Sequence, residues 1–375
     1  MLSAAERPLP ETNERPLQVC VVVPTLNEVG NVAELLRRLD RALIDYEWEA
    51  IFVDDGSCDG TPEQISTLAC GDRRIRLIQR VGRRGLASAV IEGALASLAP
   101  VIAVIDADLQ HDEQKLPLMV NAVTDDGRDV AIGSRYCEGG STGSWGTQRL
   151  GMSRLATRLA ELVTRTRVTD PMSGFFVIRR QTLLAIAPRL STVGYKILLD
   201  VLASSPTPLN VTEIPYEFRD RLHGQSKLDH AVLLEYGELL LDKMFGRWIP
   251  PKLIMFGAIG TIGVIVHLAL LGGLLRGLGT SFAVAQSGAV IGAMTFNFIL
   301  NNKLTYHDRQ LKGGAFVRGL IIFYLVCAVG AIGNVGIGSL VYRHISMWWL
   351  AGLAGAVVGS VWNYAASSWL TWTKR

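Results

Sequence analysis

At 375 residues the chain is too long for one ordinary domain, and its net charge of +3 offers no strong basic field for nucleic acid. Its apolar fraction of 49% is near the globular average, but the long uncharged runs all fall after residue 250. The five cysteines (Cys20, Cys58, Cys70, Cys137 and Cys327) are odd in number and lack Cys-x-x-Cys spacing, which argues against a disulfide framework and a zinc site and suits a reducing compartment. Residues 1–17 are polar and mixed in charge, with no apolar core for a signal peptide, and read as a disordered arm.

The apolar run 19–23 stops at Pro24-Thr25-Leu26-Asn27-Glu28, and helical periodicity follows over 32–43. A second strand over 50–53 ends in Asp54-Asp55-Gly56-Ser57. Asp59-Gly60-Thr61-Pro62 then opens a helix, with Thr61 as N-cap and Pro62 in the first position. A strand over 75–79, a basic loop over 82–85 and a small-residue helix over 86–98 lead to residues 101–105, all apolar. A run without alternation suits a strand buried on both faces of a parallel sheet. It ends in Asp106-Ala107-Asp108, followed by Gln110. Two carboxylates this close repel one another and are costly to desolvate. A divalent cation, Mg²⁺ or Mn²⁺, would relieve both, taking the carboxylates, the Gln110 amide oxygen and substrate phosphates as ligands. The alternative is a solvated strand end. Strands alternating with helices imply βαβ units, whose ligands bind beyond the carboxyl ends of the strands. Three acidic clusters on one such rim favour the metal–ligand reading.

A strand over 129–134 leads to Arg135-Tyr136, and a Gly/Ser-rich loop over 139–146 precedes a helix over 151–163, with Arg149 just before it. Next come Thr169-Asp170-Pro171-Met172-Ser173-Gly174, an apolar strand over 175–178, a helix starting within 194–199, and a strand over 211–218. Pro215 inside that last strand marks it as a sheet edge. Residues 219–227 combine Arg219, Arg221 and Lys227 with Gly and Ser, a composition suited to gripping phosphate. The plainer readings are surface salt bridges for Arg135 and Arg149 and a solvated basic loop for 219–227. A rim metal site with late cations describes a nucleoside-diphosphate binder.

The ordered set PTLNE, FVDDGS, DADLQ, GSRY, DPMSGFF and RLHGQSKL resembles the dolichol-phosphate (polyprenol-phosphate) mannose synthases of glycosyltransferase family 2, over residues 18–230. The resemblance implies a GT-A fold, an α/β domain with a Rossmann-like, mostly parallel sheet. It also implies inverting transfer of mannose from GDP-mannose to a polyprenol phosphate. Carried over, Pro24, Leu26, Glu28, Val53 and Asp55 form the nucleoside pocket. Asp106, Ala107 and Asp108 form the donor–metal loop, with Asp106, Asp108 and Gln110 as the metal set and Asp108 and Gln110 as its direct ligands. Arg135 and Arg149 grip the acceptor phosphate, and Arg221, Ser226 and Lys227 contact the donor diphosphate. His223 and Gln225 stand where some relatives carry Lys and Glu, and take no role. A phosphate monoester is already largely ionised near neutrality, its second pKa being about 6, so no general base is required. The Gln-x-x-Arg-Trp signature of processive polysaccharide synthases is absent. The nearest rival is a UDP-glucose-dependent polyprenol-phosphate glucosyltransferase. A more distant one is a lipid-linked sugar transporter with a non-catalytic soluble half. A domain ending near Leu228 is expected to fold alone.

Past residue 230 the character changes. Residues 232–245 carry apolar residues at helical spacing and end in Gly246-Arg247-Trp248-Ile249-Pro250-Pro251, so 231–251 reads as an amphipathic helix and turn at the bilayer interface. Apolar stretches over 253–275, 282–300, 317–341 and 348–369 are each long enough to cross roughly 30 Å of hydrocarbon, making 252–375 a four-helix transmembrane domain. His267, Gln286, Asn297, Asn301, Asn334 and Asn363 within or near these spans are functional candidates or interhelical hydrogen-bonding groups. Lys and Arg gather before the first span, between the second and third, and at the tail, which places both ends and the soluble domain in the cytoplasm. Phe296-Asn297-Phe298 and residues 301–306 resemble the GtrA-like membrane domain, implying a role in anchoring or presenting the polyprenol, or in its flipping. The partners expected are GDP-mannose, polyprenol phosphate and the lipid bilayer, with no nucleic acid and no protein partner evident.

Overall fold

The computed structural model describes residues 15–82, 85–143, 147–191, 196–220, 230–246, 248–279, 281–345 and 348–372. They form two compact units, Met1–Lys243 and Met244–Arg375. The expected arm, 1–17, falls almost wholly outside the described residues.

The first unit is organised by β1 (Val19–Thr25), β2 (Trp48–Asp54) and β4 (Val101–Val104). Successive side chains of a strand point to opposite faces. Val19, Val21 and Val23 therefore enter one core and Cys20 and Val22 the other, all fully buried. This explains the absence of alternation: both faces are covered. One face carries α1 (Val29–Ala42), α2 (Thr61–Gly71) and α4 (Leu116–Thr124), through residues such as Leu35, Leu39, Ile65, Met119 and Val123. The other carries α3 (Leu86–Leu95), α6 (Arg180–Ile186) and α7 (Ile197–Ser204), through Ala87, Val90, Leu183, Leu198 and Val201.

With β3 (Ile75–Gln79), β5 (Val130–Ser134), β6 (Phe176–Arg179) and β7 (Val211–Pro215), the described sheet has seven strands in the order β3-β2-β1-β4-β6-β5-β7. β7 is an edge, as Pro215 requires. β6 runs antiparallel between β4 and β5, the one reversed strand of a described sheet that is otherwise parallel, as a mostly parallel sheet allows. The chain reaches it through α5 (Thr147–Glu161) and the loop after it rather than by a crossover returning to the sheet's amino end. β6 therefore starts at the rim where β1, β2, β4, β5 and β7 finish.

Thr61 is not the N-cap of α2. That position is Gly60, at φ 97°. The Thr61 hydroxyl instead accepts from the Glu28 amide (2.9 Å) and donates to Asp59 Oδ1 (2.6 Å), tying two rim loops together.

The helix expected at the bilayer interface is α8 (His230–Phe245). Its Leu239 is buried against Ala160, Met172 and Leu199, and Tyr236 donates to Ala156 O (2.6 Å). Lys243 Nζ lies 2.6 Å from the fully buried Asp200, which also accepts from Ser191 and Ser204. A domain cut near Leu228 would lose all of this, so the first unit needs α8. Leu233 remains exposed on the same helix.

The second unit holds α9 (Pro251–Gly272), α10 (Phe282–Leu300), α11 (Gly314–Ile345) and α12 (Trp348–Leu370). Among the described residues, Pro251–Gly277 and Gly314–Gly333 are long and apolar enough to cross a membrane, each with mean hydropathy 2.3. Its core is aromatic: Phe256, Phe298, Tyr306, Phe323 and Trp372. Asn301 bonds within its own helix, donating to Asn297 O (2.9 Å) and accepting from Thr305 (2.9 Å). Bonds between helices include Thr295 with Tyr324 (2.6 Å) and Trp362 to Val326 O (3.2 Å).

Lys243→Ala leaves Asp200 buried without its counter-charge and is expected to cost about 3–5 kcal/mol. Chemical denaturation of the full chain, followed through the first unit, checks this. Wild-type stability in the variant would remove α8 from the fold of that unit.

Candidate active site at the carboxyl rim of the sheet

The rim is built where the buried strands end and their side chains stop being apolar. Thr25 and Asp54 are register partners, and the Asp55 amide donates to Thr25 O (3.0 Å), so the PTLNE and DDGS loops leave the sheet side by side. They are then stitched together. The Asn27 amide donates to Ser57 Oγ (2.8 Å), and the Cys58 amide donates to Asn27 Oδ1 (3.0 Å). Asn27 adopts φ 56°, one of two non-glycine residues at positive φ among those described; the other is Leu109, at 62°, inside DADLQ. Both strained positions lie on the rim, where such conformations tend to concentrate at functional sites.

Among the predicted nucleoside-pocket residues, Pro24 at the end of β1 and Leu26 and Glu28 in the loop after it are half-buried. Val53 places its side chain in the core beside Gly93. Asp55 is buried and held from two sides: Arg80 Nη1 donates to Oδ1 (2.6 Å) and the Gly85 amide to Oδ2 (2.7 Å). Its neighbour Asp54 accepts from Gly56 (3.0 Å) and Ser57 (2.9 Å) and shapes the turn.

In the DADLQ loop, Ala107, Asp108 and Gln110 are buried, while the Asp106 side chain is 34% exposed. Gln110 donates from its backbone to Asp108 Oδ1 (3.2 Å) and from Nε2 to Arg219 O (2.9 Å). Two carboxylates and an amide oxygen, with phosphates to come from a substrate, are hard ligands of the kind Mg²⁺ and Mn²⁺ take. A Cβ on Gly174 would lie 2.7 Å from Asp106 Oδ2, so the rim keeps space open for that carboxylate. The residues present thus fit a divalent cation. Among the described residues, no three His, Cys, Asp or Glu side chains form a ready-made cage.

His111 follows Gln110 and was not singled out in the sequence. It is buried, stacked on Phe175 (5.2 Å, 15°) and edged by Tyr216 (5.8 Å) and Phe218 (5.9 Å). Burial, helped by the charges of Arg135 and Lys196, pushes its pKa down to about 3, so the ring is neutral. The Tyr216 hydroxyl, with its pKa pushed up by burial, has no hydrogen-bond partner among the described residues; nearby Ser173 donates to Gly133 O (2.8 Å) instead.

Arg135 sits at the end of β5 in a bidentate pair with the fully buried Asp170, at 2.7 and 2.8 Å. Burial disfavours the charged guanidinium, and the hydrogen-bonded pairing with Asp170 outweighs it, so the pKa of Arg135 is raised above its ordinary value. The arginine is no isolated surface cation. Arg149 belongs to the first turn of α5, and its side chain lies outside the described residues, as do Arg221, Ser226 and Lys227. Arg219, read with them as a phosphate cation, is engaged by Asp112 (2.8 Å) and Glu113 (2.9 Å). That contact pins the start of the basic segment to the residues just after DADLQ.

Two family profiles match the chain: "Glycosyl transferase family 2" over residues 20–186 and "GtrA/DPMS, transmembrane domain" over 255–372. The chain is 31% identical over 358 residues to a dolichol-phosphate mannosyltransferase of Pyrococcus furiosus, covering 95% of this chain and 99% of that one. It is 32% identical to the Saccharomyces cerevisiae protein of the same description, covering 64% of this chain and 92% of that one. A crystal structure of glucosyl-3-phosphoglycerate synthase from Mycobacterium tuberculosis in complex with Mn²⁺ and UDP-glucose matches with a TM-score of 0.44 at 20% identity, covering 60% of this chain and 79% of that one.

Because His111 is neutral in the fold and its pKa is depressed from 6.5, its burial contributes stability that is fully present above pH 6.5 and is lost as pH falls towards 3. Unfolding temperature measured from pH 7 to pH 5 is expected to fall less steeply in His111→Phe than in the parent. Identical slopes would show that the ring titrates normally.

Proposed function

The chain belongs to the dolichol-phosphate mannosyltransferases of glycosyltransferase family 2, and we propose that it moves mannose from GDP-mannose to the phosphate of a polyprenol at a membrane surface. The observation that carries this is the extent of the match. A relative of that description aligns over 95% of the chain, through both the transferase and the membrane parts. The enzyme is thus a glycosyltransferase that uses a nucleotide-sugar donor and a polyprenol-phosphate acceptor. GDP as the nucleotide, the metal and the residue roles are this proposal's own.

In this reading the nucleoside lies on Pro24, Leu26, Glu28 and Asp55, with Arg80 and the Gly85 amide orienting Asp55; Val53, expected with them, has its side chain in the core and can offer only its backbone. Asp106, Asp108 and Gln110 would hold Mg²⁺ or Mn²⁺, which when bound neutralises the leaving diphosphate. Arg221, Ser226 and Lys227 take the diphosphate oxygens. Arg135, oriented by Asp170, and Arg149 hold the acceptor phosphate. An acceptor oxygen attacks the anomeric carbon from the face opposite the nucleotide. The new C–O bond forms as the bond to the diphosphate breaks, and that electron pair leaves with GDP. No proton moves, so positioning and charge neutralisation carry the rate.

We assign 18–243, with α8 included, to transfer, the residues up to 251 to the connection and 252–375 to a membrane domain of four spans with cytoplasmic ends. The basic loops named above support that orientation. An exposed stripe of Met152, Leu155 and Leu159 on α5, continued by Leu162 just past its end and flanked by exposed Arg154 and Arg158, supports the placement of the transferase against lipid headgroups.

The test is product formation by the full chain in lipid vesicles, with labelled GDP-mannose or UDP-glucose and polyprenol phosphate, with and without EDTA. Transfer from GDP-mannose that EDTA abolishes is expected. Preference for UDP-glucose would overturn the donor assignment. Asp108→Ala should lower turnover at least 100-fold and Gln110→Ala less, the loss of a stabilised transition-state charge being worth about 3 kcal/mol or more. Near-normal turnover in Asp108→Ala would sink the site. Arg221→Ala should lower turnover without lowering the unfolding temperature. The opposite pattern would make that segment structural.

A further inference from the structure

Two motifs meet at Asp106. Its Oδ2 lies against the bare Cα of Gly174, where a Cβ would approach to 2.7 Å, and 3.9 Å from His111 Nε2. The Asp106 amide donates to His111 Nδ1 (3.4 Å), which leaves the ring proton on Nε2, the nitrogen facing the carboxylate. The ring is clamped by Phe175, Tyr216 and Phe218, all buried. Gly133 in turn leaves the space that the Phe175 ring fills. We propose that His111 and Gly174 are positioning residues for the Asp106 carboxylate, one supplying an N–H beside it and the other the space it occupies. This rests on the assignment of Asp106, Asp108 and Gln110 to a divalent cation. The DPMSGFF segment then serves the site twice, with the glycine under the carboxylate and the phenylalanine against the histidine.

The test is Mn²⁺ binding by the full chain, read by electron paramagnetic resonance of free Mn²⁺ in the presence of GDP, alongside unfolding temperature in EDTA. His111→Phe keeps the aromatic box and removes the N–H. It is expected to weaken Mn²⁺ binding about 10–100-fold, as loss of a group orienting a metal ligand does, without lowering the unfolding temperature in EDTA. His111→Gln, which retains an N–H, should recover part of the affinity, and Gly174→Ala should lose as much as His111→Phe. Parent-like Mn²⁺ binding in His111→Phe, with binding lost in Asp108→Ala, overturns the positioning role alone. Parent-like binding in Asp108→Ala overturns the cation site itself.

An independent pattern runs through the second unit. GAVIGA at 288–293 recurs as GAVVGS at 355–360, and FNFILNNKLTY at 296–306 recurs as WNYAASSWLTW at 362–372. The equivalent residues lie 67 apart in the first segment and 66 apart in the second. In the preceding helices Phe256, Ile259 and Gly263 stand 67 before Phe323, Val326 and Gly330, and both members of the middle pair are buried. The contacts repeat as well. Gly263 makes room for Asn297 and Gly330 for Asn363. The Tyr306 amide donates to Asn301 O and the Trp372 amide to the equivalent Ser367 O.

Between the halves the contacts are reciprocal. Phe256 meets its own equivalent Phe323 (6.5 Å), and Tyr306 stacks on its equivalent Trp372 (4.1 Å, 9°). Phe256 touches Tyr364 (5.9 Å) where Phe323 touches Phe298 (5.6 Å). Tyr306 bonds Ser368 (2.8 Å) where Trp372 bonds Asn302 (3.0 Å). When i contacts j′ and i′ contacts j, the surface is self-complementary, as at a two-fold dimer interface. We infer that the second unit is a tandem duplication of a two-helix hairpin, closed about an internal pseudo-two-fold axis passing between Phe256 and Phe323 and between Tyr306 and Trp372. Each hairpin's partner is the other hairpin of the same chain. With two helices per repeat, both copies run the same way, so the axis lies along the helices.

Exchange of equivalents tests this. Tyr306→Trp with Trp372→Tyr mismatches both polar pairs, and so does Asn302→Ser with Ser368→Asn. Either double variant of the full chain should lower the unfolding temperature in detergent, and all four substitutions together should restore part of it, the bonds from Asn302 to the Leu311 backbone being lost wherever Asn302→Ser is present. A four-fold variant no more stable than the doubles would show that the two halves are not equivalent.

Discussion

A carboxylate at the end of a strand buried on both faces must be paired, hydrogen-bonded or offered to a cation, because the sheet leaves it little water. That requirement shapes the whole carboxyl rim. Asp55 is met by Arg80 and the Gly85 amide, Asp170 by Arg135, and Asp112 and Glu113 by Arg219. Each pairing also fixes something else: the third loop, the end of β5, and the start of the basic segment. Asp106 and Asp108 stand among these neutralised neighbours, and the histidine beside Asp106 is itself uncharged. Two carboxylates and an amide oxygen on one short loop make DADLQ the place on this rim best suited to a divalent cation.

The same requirement gives the arginines different duties. Arg80 and Arg135 are almost wholly buried and bound to carboxylates, so their role is to orient partners as much as to supply charge. The pairing with Asp170 holds the planar Arg135 guanidinium in one attitude, which is what the proposed contact with an acceptor phosphate would require. This suits an acceptor that arrives already ionised, since the site then has to orient two anions and needs no base. Strain at Asn27 and Leu109, offset by the surrounding hydrogen bonds, sits in two loops of the rim, the kind of place where strained backbone gathers at functional sites.

In the second unit the limiting factor is different. Helices surrounded by apolar solvent gain little from hydrophobic contact, so they depend on close packing and a few polar links. The chain meets this with aromatic stacking and two matched hydrogen bonds at the ends of α10 and α12, supplied twice over by repeated sequence.

Much of this was legible in the residues alone. Uninterrupted apolar runs ending in PTLNE, DDGS and DADLQ located three strands and their common rim, because burial on both faces removes the polar alternation that would otherwise hide the strand ends. Pro215 marked the edge strand, since it cannot donate to a ladder on its free side. Ordered motifs were enough to identify the family. The direction of β6 was not legible, because an apolar segment reads the same whether it runs parallel or antiparallel. Yet that reversal brings Gly174 and Phe175 to Asp106 and His111. Asp170 as partner to Arg135, α8 as a structural part of the first unit, and Thr61 as a loop tie rather than a cap were also hidden, for each depends on a residue 30 or more positions away. Local chemistry thus named the groups on the rim by itself, and only the tertiary structure decided which of them hold one another, because pairing is a property of distance in space that sequence spacing does not encode.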